Sequence, residues 1–377
     1  MTTLAPAPLF PRTLCALALA SLSLPVFAAG THHGASENTA HASHGGVLSH
    51  APIGVMGDHR HGKGEFMWSY RFMRMNMEGN RQGTDSISND EIVTTVANPN
   101  GSPATVRVVP KKMTMDMHML GAMYGLSDRV TLMAMVPYLQ NSMDHITYMG
   151  PSPTGPNGTK VLGEFSTESN GLGDISLSAL VGLYTHGASQ VHAHIGVSLP
   201  TGTIKNEDTV LAPTGAMPRL RVPYAMQIAS GTYDFLPGLT YTSQHQRWGW
   251  GAQYLGRLPL EKRNDQGYVL GAQHSITGWG AYAVAPWIST SLRVKGTHRD
   301  RIHGMDAAIR APIQTANPDN YGGEQVDIGF GVNLMGTSPG LKGKRVALEV
   351  LTPVYRNLNG TQLEQDWTLT VGAQVAY

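Results

Sequence analysis

The sequence predicts an all-β chain, an antiparallel transmembrane β-barrel of about twelve strands (ten to fourteen). Three observations carry that expectation. The chain opens as an exported protein does, period-two alternation recurs along its length, and the last strand ends on an aromatic residue.

Arg12 precedes an apolar run from Leu14 to Val26, and "VFA" closes at Ala28 with the small residues a signal peptidase reads, so residues 1–28 are expected to be a cleaved signal. The single cysteine, Cys15, lies inside it, so a chain cut there has neither a disulfide framework nor a thiol nucleophile. Beyond it no stretch approaches the roughly 18 uninterrupted apolar residues of a spanning helix. Charged residues make up 14% of the chain and the net charge is +1, which gives no footprint for nucleic acid. Residues 29–63 hold seven of the sixteen histidines among Gly, Ala and Ser, and are expected to form a flexible, His-rich periplasmic leader with at most weak metal affinity.

Residues 64–377 alternate. Strands are expected at 65–78, 112–124, 129–140, 172–185, 190–199, 233–244, 248–258, 270–284, 287–298, 323–335, 344–355 and 366–377, with 221–230 as a possible extra one. In the last, Trp367, Leu369, Val371, Ala373, Val375 and Tyr377 share one face and Asp366, Thr368, Thr370, Gly372, Gln374 and Ala376 the other, as lipid-facing and lumen-facing residues do. Short connections at 125–129, 186–190, 246–247 and 285–286 alternate with longer ones at 79–111, 141–171, 200–232, 259–269 and 299–322. An even strand number places both termini on the periplasmic side of an outer membrane.

Fourteen of nineteen methionines lie between Met56 and Met149. "MTMDMHML" (113–120) sets Met113, Met115, Met117 and Met119 against Thr114, Asp116, His118 and Leu120. Taking the apolar face as the lipid face turns Asp116 and His118 inward. In the neighbouring strands Phe66, Trp68, Tyr70 and Phe72 face out, turning Arg71, Met73 and Met75 inward, and Met133 and Met135 turn inward opposite Leu132 and Val136. His192 and His194 are inward by the same rule. Arg71, Arg129, Asp234, Arg257, Asp327 and Glu349 are expected to hold the interior and any plug in place. No hydrolase, phosphate-binding or zinc-protease motif is present, and no enzyme activity or cofactor is expected.

Several strings resemble a known family. "NGLGDISLSALVGLY" (170–184), "VSLPTGT" (197–203), "ASGTYDFLPGLTYT" (229–242), "GWGAQYLGRL" (249–258) and "GDHRHGKGEFMWSYRFMRM" (57–75) are similar to bacterial outer-membrane transporters associated with the meta-pathway of phenol degradation, here a Met/His-rich branch. The resemblance covers most of 54–377 and implies a barrel that passes small, often aromatic, molecules. It transfers no substrate-contacting residue.

The expected function is passive uptake or exchange of small apolar or aromatic solutes along a lumen lined by Arg71, Met73, Met75, Asp116, His118, Met133, Met135, His192 and His194. The alternative is passage or sensing of copper, a soft metal, through Met75, His118 and Met135. A structural or adhesive barrel and a membrane-embedded hydrolase rank lower. Partners are outer-membrane lipid and a small solute, with no indication of oligomeric state.

Overall fold

The structure, a computed structural model, describes residues 46–150 and 158–377. The expected signal and the leader up to residue 45 lie outside the described residues. The barrel strands are β1 (Phe66–Gly83), β2 (Val108–Ser127), β3 (Val130–Tyr148), β4 (Val161–Leu172 with Ile175–His186), β5 (Ser189–Leu199), β6 (Asp234–His245) and β7 (Trp248–Pro259). They continue with β8 (Gln273–Ala285), β9 (Ile288–Arg299) and β10 (Gly323–Met335). The final element, Lys344–Ala376, turns back at Gly360 (φ 58), giving β11, which pairs with β10, and β12, which pairs with β1. Twelve antiparallel crossings therefore follow one another in chain order and close through Met67↔Ala376 to Met75↔Thr368.

Alternation explains the strands, and burial shows which face is which. Trp68, Tyr70, Leu120, Leu132, Trp250, Ile276, Leu292 and Phe330 are exposed, whereas Arg71, Asp234, Arg293, Asp327, Arg345 and Glu349 are buried. Leaving a Leu- or Phe-sized side chain in water forgoes about 1.5–3 kcal/mol each. An apolar belt around a charged interior is thus favoured against lipid, and closure leaves no unpaired strand edge in hydrocarbon.

The two ends differ. One carries short connections at 128–129, 187–188, 246–247 and 286–287. At the other, the segments 200–233, 260–272 and 300–322 bring Ile204, Tyr224, Tyr268, Ile302, Ile309 and Ile313 together over Val108 as a cap. Residues 221–230 form no barrel strand and belong to this cap: Arg221 ends a short strand, Arg219–Arg221, paired with Glu207–Thr209, and Tyr224–Met226 is a 3-10 turn. The family-like strings meet beneath it: Arg257 Nε reaches Asp234 at 2.6 Å and its Nη2 reaches Asp174 at 3.2 Å, while Asp174 also accepts from Ser230 N at 2.9 Å.

The segment from 46 to 63 departs from the expected leader. It enters the barrel at the short-turn end, rises to an apex at Ile53–Gly57 and returns to β1. The wall grips its backbone from many sides. Ser289 Oγ donates to Val47 O (3.3 Å), Arg71 Nε to Ile53 O (3.2 Å), Gln253 Nε2 to Met56 O (2.8 Å) and His192 Nε2 to Gly57 O (2.8 Å). Gly54 N donates to Glu349 Oε2 at 2.8 Å and His61 N to Thr131 Oγ1 at 2.9 Å. Val47, Ala51, Ile53 and Val55 are buried. Low apolar content suggested a solvated tether; satisfied backbone groups and four small apolar side chains instead seat this stretch as a plug.

Candidate functional site

Between plug and cap lies a chamber walled by methionine. β1 and β2 are in register so that Met73 faces Met117, Met75 faces Met115 and Arg71 faces Met119. Directly paired residues share a sheet face, so the inward face of β1 fixes that of β2. Met113 and Met119 are buried, while outward Leu120 is 59% exposed. The face assigned to "MTMDMHML" from hydropathy alone is therefore inverted. Methionine points into the lumen, and Asp116 and His118 point outward.

Outside, the two polar residues have partners of their own. Arg74 and Asp116 form a two-pronged ion pair at 2.7 and 2.6 Å, and the Tyr70 hydroxyl lies 2.8 Å from His118 Nδ1. The outward face of β1 changes from Phe66, Trp68, Tyr70 and Phe72 to Arg74, Asn76 and Glu78, so these pairs sit where the apolar belt ends.

A cavity of about 170 Å³ is lined by Gly54 and Met56 of the plug, by Arg71, Met73, Met75, Met117 and Met119 of β1 and β2, and by Arg293, Lys295 and Asp327 of β9 and β10. A second cavity of about 270 Å³ shares Gly54, Met56, Arg293 and Lys295 and extends towards Gln253, Arg257 and Thr277. An apolar cavity of about 150 Å³ holds a benzene molecule, so the methionine lobe has room for one ring. Towards the cap, Met113 and Met143 meet Val222 and Met226 of the 200–233 segment, with Met77 and Met115 alongside. Beyond the plug, Met67, Met123, Met133 and Leu180 form a separate cluster with Met135 against it. Methionine thus runs along one inner wall from one end to the other. Its unbranched, polarisable side chain adapts to varied shapes.

The expected lumen residues divide into three groups. Arg71, Met73 and Met75 line the chamber. Met133 and Met135 point inward but belong to the cluster beside the plug, and His192 and His194 hold the plug and its surroundings: His194 Nε2 lies 2.8 Å from Ser178 Oγ and its Nδ1 is next to Gly57. Asp116 and His118 are outside. The copper trio Met75, His118 and Met135 is therefore not brought together: His118 faces outward, and Met75 lines the chamber while Met135 belongs to the separate cluster. Arg71 and Glu349 do hold the plug, as expected, with Arg293 2.9 Å from Glu349. Asp327 lines the chamber.

Met56, Met117, Met119 and Lys295 line the chamber too, beyond the residues that alternation assigns to the lumen. The pairing of β1 with β2 would have found Met117 and Met119, since Met73 and Met75 were already inward. The plug had its own signal in the period-two spacing of Ala51, Ile53 and Val55.

No protein-family model and no curated protein matches the chain. Among solved structures it is similar to an outer membrane channel from Pseudomonas putida F1, at 13% identity over 86% of this chain and 100% of that one, with a TM-score of 0.56. A Pseudomonas aeruginosa FadL homologue (9% identity, 83% of this chain, 90% of that one, TM-score 0.42) and the P. putida toluene transporter TodX (10%, 83%, 90%, 0.41) superpose too loosely to inform the site. The fold is that of a closed outer-membrane β-barrel.

Proposed function

We propose that this protein is an outer-membrane channel for passive uptake or exchange of small apolar solutes, single-ring aromatics in particular. The observation that supports it most is the methionine-walled cavity held between plug and cap inside a closed barrel. Thioether surfaces offer weak, adaptable contacts, so a solute is held briefly and leaves. Arg71 beside the methionines and Arg293 and Lys295 across from them suit a ring bearing a phenolic or carboxylate oxygen and disfavour a cation. The resemblance to transporters of phenol degradation agrees with this substrate class. In this reading the short-turn end and the plug face the periplasm, and transit requires the plug to shift. Cells lacking the protein should accumulate phenol or toluene more slowly at low external concentration, and the intact gene should restore the rate. Equal rates in deletion and wild-type strains across such a panel would remove the proposal.

One observation favours copper as a second reading: four thioethers, Met73, Met75, Met117 and Met119, share one cavity. Cu(I) favours such ligands. Replacing all four by leucine should abolish Cu(I) binding to the chamber if this reading holds, and unchanged binding would exclude it.

A further inference from the structure

We propose that the mouth of the plug is a divalent transition-metal site, with the imidazoles of His50 and His59 as ligands and Asp58 as the residue that positions His59. This site lies on the opposite side of the plug apex from the methionine chamber and does not depend on what the barrel transports.

The three rings are stacked edge-on in a row. The centroids of His50 and His59 are 4.5 Å apart and those of His59 and His61 are 5.0 Å apart. Ligand-type atoms of His50, Asp58 and His59 all fall within 4.8 Å of one another. Metal–nitrogen bonds of about 2.0–2.1 Å set tetrahedral ligand nitrogens roughly 3.3 Å apart. Small ring rotations close that difference.

Hydrogen bonding decides which atoms are available. Both oxygens of Asp58 are occupied: Oδ2 accepts from Ala51 N at 2.8 Å and Oδ1 from His59 Nδ1 at 2.9 Å. A proton fixed on Nδ1 leaves the lone pair of His59 on Nε2. That Nε2 and His50 Nδ1 are buried and meet no hydrogen-bond partner in the structure. Two buried nitrogens without partners are costly, and a metal ion satisfies both. Carboxylate, imidazole and metal in series is the usual way a ligating histidine is oriented.

Charge and access agree. Arg345 and Arg60 are the nearby cations, and each is engaged with a carbonyl, Ala51 O at 2.5 Å and Asp128 O at 2.7 Å. A cavity of about 250 Å³ reaches His50, His59, His61 and Glu65 from the short-turn end and gives an ion a way in. Imidazole donors suit Cu(II), Zn(II) and Ni(II).

His50 stands on the inbound limb of the plug, His59 and His61 on the outbound limb. A bound ion therefore joins the two limbs and stabilises the docked plug.

The test uses the full chain in detergent with His32, His33, His41 and His44 changed to alanine, which removes competing upstream imidazoles. Equilibrium dialysis against Cu(II), and separately Zn(II), should give one bound ion. Adding His50→Ala and His59→Ala should weaken binding at least ~100-fold, and Asp58→Asn alone should weaken it about 10- to 100-fold with the stoichiometry unchanged. No bound ion in the upstream variant, or equal affinity in the His50/His59 variant, would overturn the site. Heat-modifiable migration on gels checks that each variant forms its barrel. If the double variant does not, electron paramagnetic resonance of Cu(II) on the upstream variant decides. Hyperfine coupling to two or more nitrogens supports the site, and coordination by oxygen alone refutes it.

Discussion

Gly54→Val should undock the plug while leaving the barrel closed. The apex backbone lies so close to the wall that a Cβ on Gly54 would stand 2.3 Å from Glu349 Oε2 and 3.1 Å from the Arg293 guanidinium nitrogens. The carboxylate has little freedom to retreat, because it accepts from Gly54 N at 2.8 Å and pairs with Arg293 at 2.9 Å. Relieving the clash means losing the hydrogen bond to a charged acceptor, about 1.5–3 kcal/mol, and disturbing a buried ion pair besides. A total of roughly 2–4 kcal/mol shifts the docked-to-undocked ratio by about 30- to 700-fold, at a factor of ten per 1.4 kcal/mol. Hydrogen exchange read by mass spectrometry should show the amides of Ala51, Gly54, Val55 and His61 losing protection while β1 and β12 keep theirs. In planar bilayers the variant should spend more time in a conducting state. Unchanged protection of 47–61 together with unchanged conductance would refute the claim that this glycine seats the plug.

Three further expectations concern the faces of the wall. Cys15 is the sole cysteine, so new cysteines at 115, 116, 117 and 118 report orientation after Cys15→Ser; a lipid-soluble maleimide should modify 116 and 118 much faster than 115 and 117, and the reverse order would restore the hydropathy-based assignment. Val332→Arg, on the outward face between Thr290 and Leu348, should cost about 2–4 kcal/mol in folding yield titrations if it lies at mid-bilayer; full tolerance would place it outside the lipid belt. Met133→Asp should lower thermal stability, because Met133 packs with Met67, Met123 and Leu180, whereas Met117→Asp should leave unfolding nearly unchanged and act on solute passage; equal thermal shifts would contradict the separation of chamber from cluster.

Strand positions were legible because alternation is a local property. Alternation predicts a strand at 323–335, and the structure has it at Gly323–Met335. Strand ends at the long-loop side were not legible, since β3 runs on to Tyr148 and β2 begins at Val108 through polar and mixed stretches that do not face lipid. Alternation also yields two faces without saying which is outward. Hydropathy decides correctly where Phe, Trp and Val oppose polar residues, but it fails at 113–120, where both lumen and lipid accept methionine. There the deciding fact is non-local, the Met73↔Met117 register with a strand about forty residues earlier. The plug is hidden from local sequence for the same reason: its stability lies in wall groups such as Glu349, Arg345 and Gln253, far away in sequence.

In the proposed function the methionine chamber is the route of a small apolar solute. Flux of phenol into liposomes holding the purified barrel tests it most directly, comparing wild type with the Met73→Asp, Met117→Asp variant at matched barrel content. Carboxylates facing the solute should raise the barrier by at least about 1.4 kcal/mol, a tenfold fall in flux, while wild-type vesicles fill faster than empty ones. Equal flux through wild type, variant and protein-free vesicles would contradict the account.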